Sequence, residues 1–401
     1  MRVTTNQMYS QSLARMLELQ ASTRDLQTQI SSGKRISTPG DDPVAAVEVM
    51  QINDRTNAST QFDRNGALAE QRLTQVDDVL GGVSNMLQRV NDLLLQGRSE
   101  QLGNSDRDAI AKEIREQMDV LLDIGNTRNA SGEFIFAGAK VGTRPFTADA
   151  LGNVTYNGDQ TVRELALSET RSVAESFTGH DAFFAVRNGN GVFVTGRNAA
   201  NTGTAQISDN TLINGAAYVA HDYRIRFTSA TTYDIIDDTA GSNVATNQAY
   251  VDGSAISFNG MQVTVFGAAA TGDEFSVEPS QNQSLFVTLG DIATVLETGY
   301  ANPTEQANFG FDIDRAIEAM NRSMEKVAEL RSTTGARLNS ISAQRDVNDQ
   351  LNLTLQRLRS NLEDVDLVSA ITSLTQQTTA LEAAQQAFVK VQNLTLFDYI
   401  D

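Results

Sequence analysis

The sequence predicts an α+β fold, an elongated bundle of long coiled-coil helices formed by both chain termini with a β-rich outer module inserted between them. Three observations predict it. Apolar residues recur at alternating steps of three and four through Leu73, Val76, Leu80, Val83, Leu87, Val90 and Leu94, the spacing of a coiled-coil seam. The last quarter carries further stripes, Ile313, Ile317, Met320, Met324 and Val327, then Leu351, Leu355, Leu358, Leu362 and Val365. Between them, residues 132–278 become rich in Gly, Thr, Val, Tyr and Phe and alternate with period two.

The first element is a helix over residues 9–31, with Met16, Leu19, Thr23, Leu26 and Ile30 on one weak stripe. Asp41-Asp42-Pro43 then marks a helix start. Asp42 caps, and Pro43 stands in the first turn, where its missing N–H costs no bond. From Pro43 to Gln96 such a helix is roughly 80 Å long at about 1.5 Å per residue, so an elongated molecule is predicted. Gly81-Gly82 interrupts the seam and reads as a bend or close contact. The pattern Ser105-Asp106-Arg107-Asp108 opens a second helix, with Ile110, Ile114, Leu121 and Ile124 on its stripe, returning antiparallel to the first.

In the β region Tyr223, Ile225 and Phe227 alternate with Arg224 and Arg226. Asn259-Gly260 sits between residues 255–258 and 261–266 as a two-residue hairpin turn. Residues 188–203 and 239–247, rich in Gly and Asn, read as exposed loops. A short helix over 285–296 leads through Asn302-Pro303 to the terminal helices. There Leu367, Leu374, Leu381 and Phe388 fall seven apart, with Ile371 beside them. The organisation that follows is an N-terminal assembly helix at 1–42, the bundle's first part at 43–140, a β annex at 141–186 and the outer β module at 187–282. The bundle's second part then occupies 283–361 and a C-terminal assembly helix 362–401. Both chain ends are expected to lie together.

Composition excludes several functions. Fifty acidic against 31 basic residues leave a charge of -19, which repels nucleic acid and anionic membrane alike. The chain has no cysteine, so disulfides, thiolate metal sites and cysteine nucleophiles are ruled out. Only five prolines occur, and with no cross-links this suits a chain that is threaded unfolded, although an ordinary acidic cytosolic protein fits the same composition. The first 20 residues are polar and broken by Arg2, Arg15 and Glu18, so no cleaved signal and no membrane insertion are expected. His180 and His221 are the only histidines, and no serine stands in a nucleophile elbow. Asp237-Asp238 lacks the spacing of a calcium loop and reads as a solvated turn. No catalytic, cofactor or metal site is therefore expected.

The ends themselves imply assembly. The seam of the first helix offers five side chains, too few to offset the ordering of some 23 backbones. Polar seam positions such as Thr23, Thr378 and Gln385 weaken its pairing with the C-terminal helix. The expected assembly interface is Met16, Leu19, Leu26 and Ile30 with Leu367, Ile371, Leu374, Leu381 and Phe388, ordering on association. A self-contained antiparallel pair in a monomer is the alternative.

Residues 31–46, SSGKRISTPGDDPVAA, resemble the segment joining the first two helices of the bacterial flagellin family. Residues 364–400, DVDLVSAITSLTQQTTALEAAQQAFVKVQNLTLFDYI, resemble that family's C-terminal helix. NTRNASGEFIFAGAKVGTRPF at 126–146 and VTYNGD at 154–159 look like its hook-associated protein 3 branch. Pro43, the 126–146 segment and the TLFDYI ending depart from filament flagellins. The resemblance implies export through the flagellar type III apparatus without cleavage and holding by a flagellar export chaperone. It also implies a homo-oligomeric ring or helical layer at the hook-filament junction, touching hook-associated protein 1 below and flagellin above. A filament flagellin is the alternative within the family; the module at 187–279 carries no resemblance of its own, which leaves a coiled-coil-supported adhesin and a polysaccharide-active enzyme as further competing readings.

Overall fold

The computed structural model describes residues 5–397. The chain opens with α1 (Thr5–Ser32), then α2 (Pro43–Gly97) and α3 (Asn104–Gly125). The start of α2 follows from Asp42, whose Oδ1 accepts from the Ala45 amide at 3.1 Å while Arg35 NH1 donates to Oδ2 at 3.3 Å. That amide bond is the main reason the Asp42 carboxyl is held below the usual range. α2 runs unbroken through Gly81-Gly82. A Cβ at Gly81 would meet nothing and one at Gly82 would touch only Ile124 Cδ1 at 3.9 Å, so close contact does not explain either glycine. The start of α3 also differs from expectation: the cap is Gly103, whose amide donates to Asp106 Oδ2 at 3.3 Å, and not Ser105.

A β annex follows. β1 (Phe146–Ala148) pairs with β2 (Val154–Tyr156), and β3 (Glu164–Ala166) with β4 (Ser172–Ala174), both antiparallel. A single turn, α4 (Gly179–Phe183), and β5 (Val186–Arg187) lead on to β6 (Phe193–Arg197), β7 (Gln206–Leu212), β8 (Tyr223–Ser229) and β9 (Thr232–Asp237). β10 (Ser242–Ala249), β11 (Ala255–Phe258), β12 (Met261–Phe266), β13 (Glu274–Pro279) and β14 (Asn282–Gln283) complete the β region. One sheet has the order β10-β9-β8-β13-β6 and a second β11-β12-β7, with every neighbouring pair antiparallel. Their inner faces share one core in which Tyr223, Ile225, Phe227 and Phe275 of the first meet Phe258, Met261, Val263 and Val265 of the second. Arg224 and Arg226 face outward, as period two requires.

Asn259-Gly260 makes the two-residue turn between β11 and β12, with Phe258 opposite Met261. Both turn residues have positive φ, 43° and 78°, the signature of the turn that matches strand twist. Two expected loops are strand instead. Residues 188–203 contain β6, whose Phe193 is fully buried, because glycines and asparagines there form the turns on either side of a short apolar run. Residues 239–247 contain most of β10, an exposed edge strand with two register shifts. Asp237 is likewise no solvated turn residue. It lies in β9, is buried, and accepts from the Ala240 amide at 2.7 Å.

α5 (Leu285–Thr298), α6 (Pro303–Glu363) and α7 (Leu367–Phe397) finish the described chain. The contacts divide it into two units, Asn65–Ser342 and the paired segments Met1–Arg64 with Ala343–Asp401. In the Asn65–Ser342 unit all seven seam residues from Leu73 to Leu94 are buried. Six of them pack with Ile110 and Ile114 of α3, Leu289 and Ile292 of α5, and Ile313, Met320 and Val327 of α6; Leu73 instead joins Ala69, Leu167, Val173 and Ile341 in a smaller cluster. Arg107 is locked inside, its guanidinium 4.7 Å from the Tyr300 ring and 4.9 Å from the Phe309 ring. It donates to the carbonyls of Gly97 and Ser99 at 3.2 and 3.0 Å, satisfying free acceptors at the α2 C-terminus. Among the described residues no helix is long and apolar enough to cross a membrane.

Candidate assembly surface of the terminal helices

In the other unit α1 and α7 form an antiparallel pair. At one end Lys34 bridges Asp364, the Val365 amide donates to the Gly33 carbonyl at 3.1 Å, and the Arg35 amide donates to Glu363 at 2.6 Å. Lys34 also forms an ion pair with Glu363, and Arg35 NH2 donates to the Leu362 carbonyl at 2.8 Å. Gly33, with φ of 71°, supplies the left-handed turn that ends α1. At the far end the Tyr9 and Phe388 rings stand 4.9 Å apart at 44°.

Between these ends Met16, Leu19, Leu26 and Ile30 are half-buried, and so are Leu374, Leu381 and Phe388. The pair therefore closes on one seam. Leu367 and Ile371 are not within it, with 49% and 52% of their surface exposed, whereas Ala370 is buried. The observed seam of α7 steps through Ala370, Leu374, Gln377, Leu381, Ala384 and Phe388. A search for large apolar residues passes over the two alanines, although small side chains are what allow helices to approach. Thr23 and Thr378 sit at the seam by donating their hydroxyls to Leu19 and Leu374 carbonyls of their own helices, at 2.8 and 3.0 Å. Gln385 is exposed.

This unit has little core. Among its described residues the buried apolar side chains are Ile36, Ala45, Leu355 and Ala370. Its outer faces are apolar instead: Leu13 and Leu17 follow one another at one-turn spacing on α1, and Leu367, Val368 and Ile371 cluster on α7. Val44, Val47 and Met50 of α2 and Leu351 and Leu358 of α6, the last two expected within a seam, are also exposed. These helices therefore leave apolar stripes uncovered beside a thin interior. Residues 398–401, which include most of the FDYI ending, lie outside the described residues.

The loop before α2 is firmly set. Asp41 Oδ2 accepts from the Ser37 and Thr38 amides at 2.9 and 2.8 Å, and Oδ1 from the Thr38 hydroxyl at 3.0 Å. These bonds, the Thr38 amide first, hold the Asp41 carboxyl below the usual range. Elsewhere His221 Nδ1 lies 2.9 Å from Asp237 Oδ2, whose carboxylate also accepts from the Ala240 amide. Among the described residues no cluster of His, Asp and Glu could hold a metal. Sequence reasoning also missed Glu175, buried between Arg72 and Arg163, with Arg163 Nε 2.7 Å from its carboxylate. Arg72 and Arg163 both reach Glu133, at 3.2 and 3.5 Å, so two arginines and two glutamates tie the annex to α2.

Residues 3–141 match the bacterial flagellin N-terminal helical region. Residues 196–279, which carry no resemblance when read alone, match the D2-like domain of flagellar hook-associated protein 1. Flagellar hook-associated protein 3 of Escherichia coli is 24% identical over 398 residues, spanning 99% of either chain. Among solved structures, flagellar hook-associated protein 3 of Legionella pneumophila superposes with a TM-score of 0.72 at 29% identity, covering 78% of this chain and 99% of that one. FlgL of Xanthomonas campestris gives 0.68 at 28% identity, covering 76% and 98%.

Proposed function

Since the chain belongs to the hook-associated protein 3 branch of the bacterial flagellin family, we propose that its terminal helices join hook-associated protein 1 on one side to the flagellin filament on the other. The protein is a structural subunit of the flagellar hook-filament junction. In the proposed mechanism the assembly interface comprises the seam residues Met16, Leu19, Leu26, Ile30, Leu374, Leu381 and Phe388 together with exposed Leu367 and Ile371. The seam brings α1 and α7 together, and the outward apolar stripes are buried by neighbouring subunits. Repetition of such a heterologous contact builds a ring or a short helical layer.

The observation that carries this reading is the contrast within one chain. The Asn65–Ser342 unit has continuous cores, while the terminal unit holds four buried apolar residues and exposes Leu13, Leu17, Val368 and Ile371. A monomer gains nothing from that exposure, and an assembled layer buries it. Export without a cleaved signal and holding by a cytoplasmic chaperone belong to the same proposal, since exposed stripes need cover before assembly. The domain scheme does too, with assembly segments at 1–42 and 362–401 and an outer module at 187–282. No catalytic role is proposed.

Tagging tests the placement. Residues 213–217 form an exposed turn, and a tag between Gly215 and Ala216 can be located by electron microscopy of purified flagella. Label confined to the junction is the expected result. Label along the whole filament would make the chain a filament flagellin, and unlabelled flagella would return the adhesin reading.

A further inference from the structure

We infer that Asn214 is a site of spontaneous covalent modification, where the side-chain amide is lost through a cyclic imide with Gly215 and an aspartyl or isoaspartyl linkage is left in its place. The chain holds six Asn-Gly pairs, at Asn65, Asn157, Asn188, Asn190, Asn214 and Asn259. Glycine has no side chain to shield its own nitrogen, so in an unfolded chain all six are open to the same reaction. The fold separates them.

Five of the pairs are restrained. Asn65 lies within α2, whose ladder engages the Gly66 amide, and its Nδ2 donates to the Ala166 carbonyl at 2.8 Å. Asn259 Nδ2 donates to the Tyr223 hydroxyl at 2.8 Å. Asn157 Nδ2 donates to the Thr147 hydroxyl at 2.9 Å, and the Tyr156 side chain packs against Gly158. Asn188 Oδ1 accepts from the Gln281 amide at 2.8 Å beside a buried Gly189. Asn190 Nδ2 is enclosed, and the Gly191 amide donates to the Asn188 carbonyl at 3.2 Å. Asn214 instead stands in the exposed turn between β7 and β8. Among the described residues neither its Nδ2 nor the Gly215 amide donates a hydrogen bond.

The bonds that Asn214 does make favour the reaction. Its Oδ1 accepts from the Ala216 amide at 3.1 Å, a side-chain turn that folds Cγ back toward the Gly215 nitrogen. The same bond stabilises the oxyanion that forms when Cγ is attacked. The Ala217 amide donates to the Asn214 carbonyl at 3.2 Å, and that carbonyl shares a peptide unit with the Gly215 N–H, so charge left on the deprotonated nitrogen is better borne. The Gly215 nitrogen gives its proton to solvent hydroxide and bonds to Cγ. The Cγ–Nδ2 bond then breaks, and the nitrogen leaves as ammonia after taking a proton from water. Water opens the imide, at Cγ to give aspartate or at the main-chain carbonyl to give isoaspartate. Water enters and ammonia leaves, with no oxidant or reductant. The isoaspartyl product carries an extra methylene in the main chain. Because the Ile213 and Asn214 amides donate to the Gly260 carbonyl at 2.9 and 3.0 Å, that shift loosens the turn from the β11–β12 hairpin.

The test ages the full chain at neutral and mildly alkaline pH and maps its tryptic peptides by mass spectrometry. Cleavage after Arg197 and Arg224 gives peptide 198–224, in which Asn214-Gly215 is the only such pair. In the folded protein that peptide is expected to exchange its amide for a hydroxyl at least about tenfold faster than peptides carrying the other five pairs. The rate is expected to rise with pH, and the difference to collapse in urea. Gly215→Ala is the variant to compare: Gly215 is not left-handed, and an added Cβ would meet only Leu212 Cδ2 at 3.6 Å, so the fold is kept while the nitrogen is crowded. Its conversion is expected to fall severalfold with an unchanged circular dichroism spectrum. Equal rates at Asn214 and the other pairs in the folded protein, or conversion of Gly215→Ala as fast as wild type, would overturn the site. Isoaspartate in the aged peptide, detected by its enzymatic methylation, together with faster hydrogen exchange at the Ile213 amide, supports loosening of the turn. Unchanged exchange there would overturn that consequence and leave the modification standing.

Discussion

The Tyr9 and Phe388 rings meet at 4.9 Å, tilted by 44°, although 379 positions separate them in sequence, and they close the far end of the pair that Lys34 and Asp364 close at the near end. An antiparallel pairing that puts Gly33 beside Val365 puts Tyr9 beside Phe388, since α1 and α7 advance by nearly equal lengths between the two contacts. Phe388→Ala is expected to remove about 1 to 2 kcal/mol from this pair. Hydrogen exchange should show α1 and α7 opening faster while amides around Leu80 are unchanged.

Deleting residues 381–401 extends the same reasoning. The truncated chain is expected to lose incorporation into flagella and to keep the thermal transition of its Asn65–Ser342 unit, because none of that unit's core residues lie in α7. Normal incorporation at the filament base would refute the terminal-helix mechanism.

Arg107 tests how the bundle end is held. Arg107→Ala leaves the Gly97 and Ser99 carbonyls without their donor and a gap between Tyr300 and Phe309. A loss of about 2 to 4 kcal/mol is expected in urea unfolding, with Arg107→Lys recovering part of it but not the stacking.

Gly260 is required by its backbone. At φ of 78°, a Cβ would also stand 2.2 Å from the Asn214 carbonyl oxygen, so Gly260→Ala is expected to cost at least about 1 kcal/mol. Asn259→Gly keeps the turn and loses only the bond from Asn259 Nδ2 to the Tyr223 hydroxyl at 2.8 Å, so the milder effect is expected there.

The Asp41 loop carries a pH dependence of known sign. Its carboxyl is depressed in the folded chain by the Thr38 and Ser37 amides, so its contribution is present above the unfolded aspartate value of about 3.9 and is lost as pH falls through the lower folded value. Exchange of the Ser37 and Thr38 amides is expected to quicken in that acidic window. Asp41→Asn should flatten the response, and an unchanged profile would contradict the assignment.

Periodicity by itself determined the long helices and the register of the β11–β12 hairpin. The seam from Leu73 to Leu94 reports burial directly, because a helix face of large apolar residues has no alternative to packing, and Asn259-Gly260 reports a backbone conformation few residues adopt. Sequence could not show that residues 188–203 contain a buried strand, since the Gly- and Asn-rich turns around β6 mask five residues whose burial depends on β13 and on the opposing sheet. Nor could it prefer Ala370 and Ala384 over Leu367 and Ile371 on α7, because which side of a helix is covered is decided by its partner and not by side-chain size. The same holds for Arg107 and Glu175. A charge in a sequence reads as solvent-exposed until the fold brings rings or counter-charges around it, and only tertiary structure sets those distances.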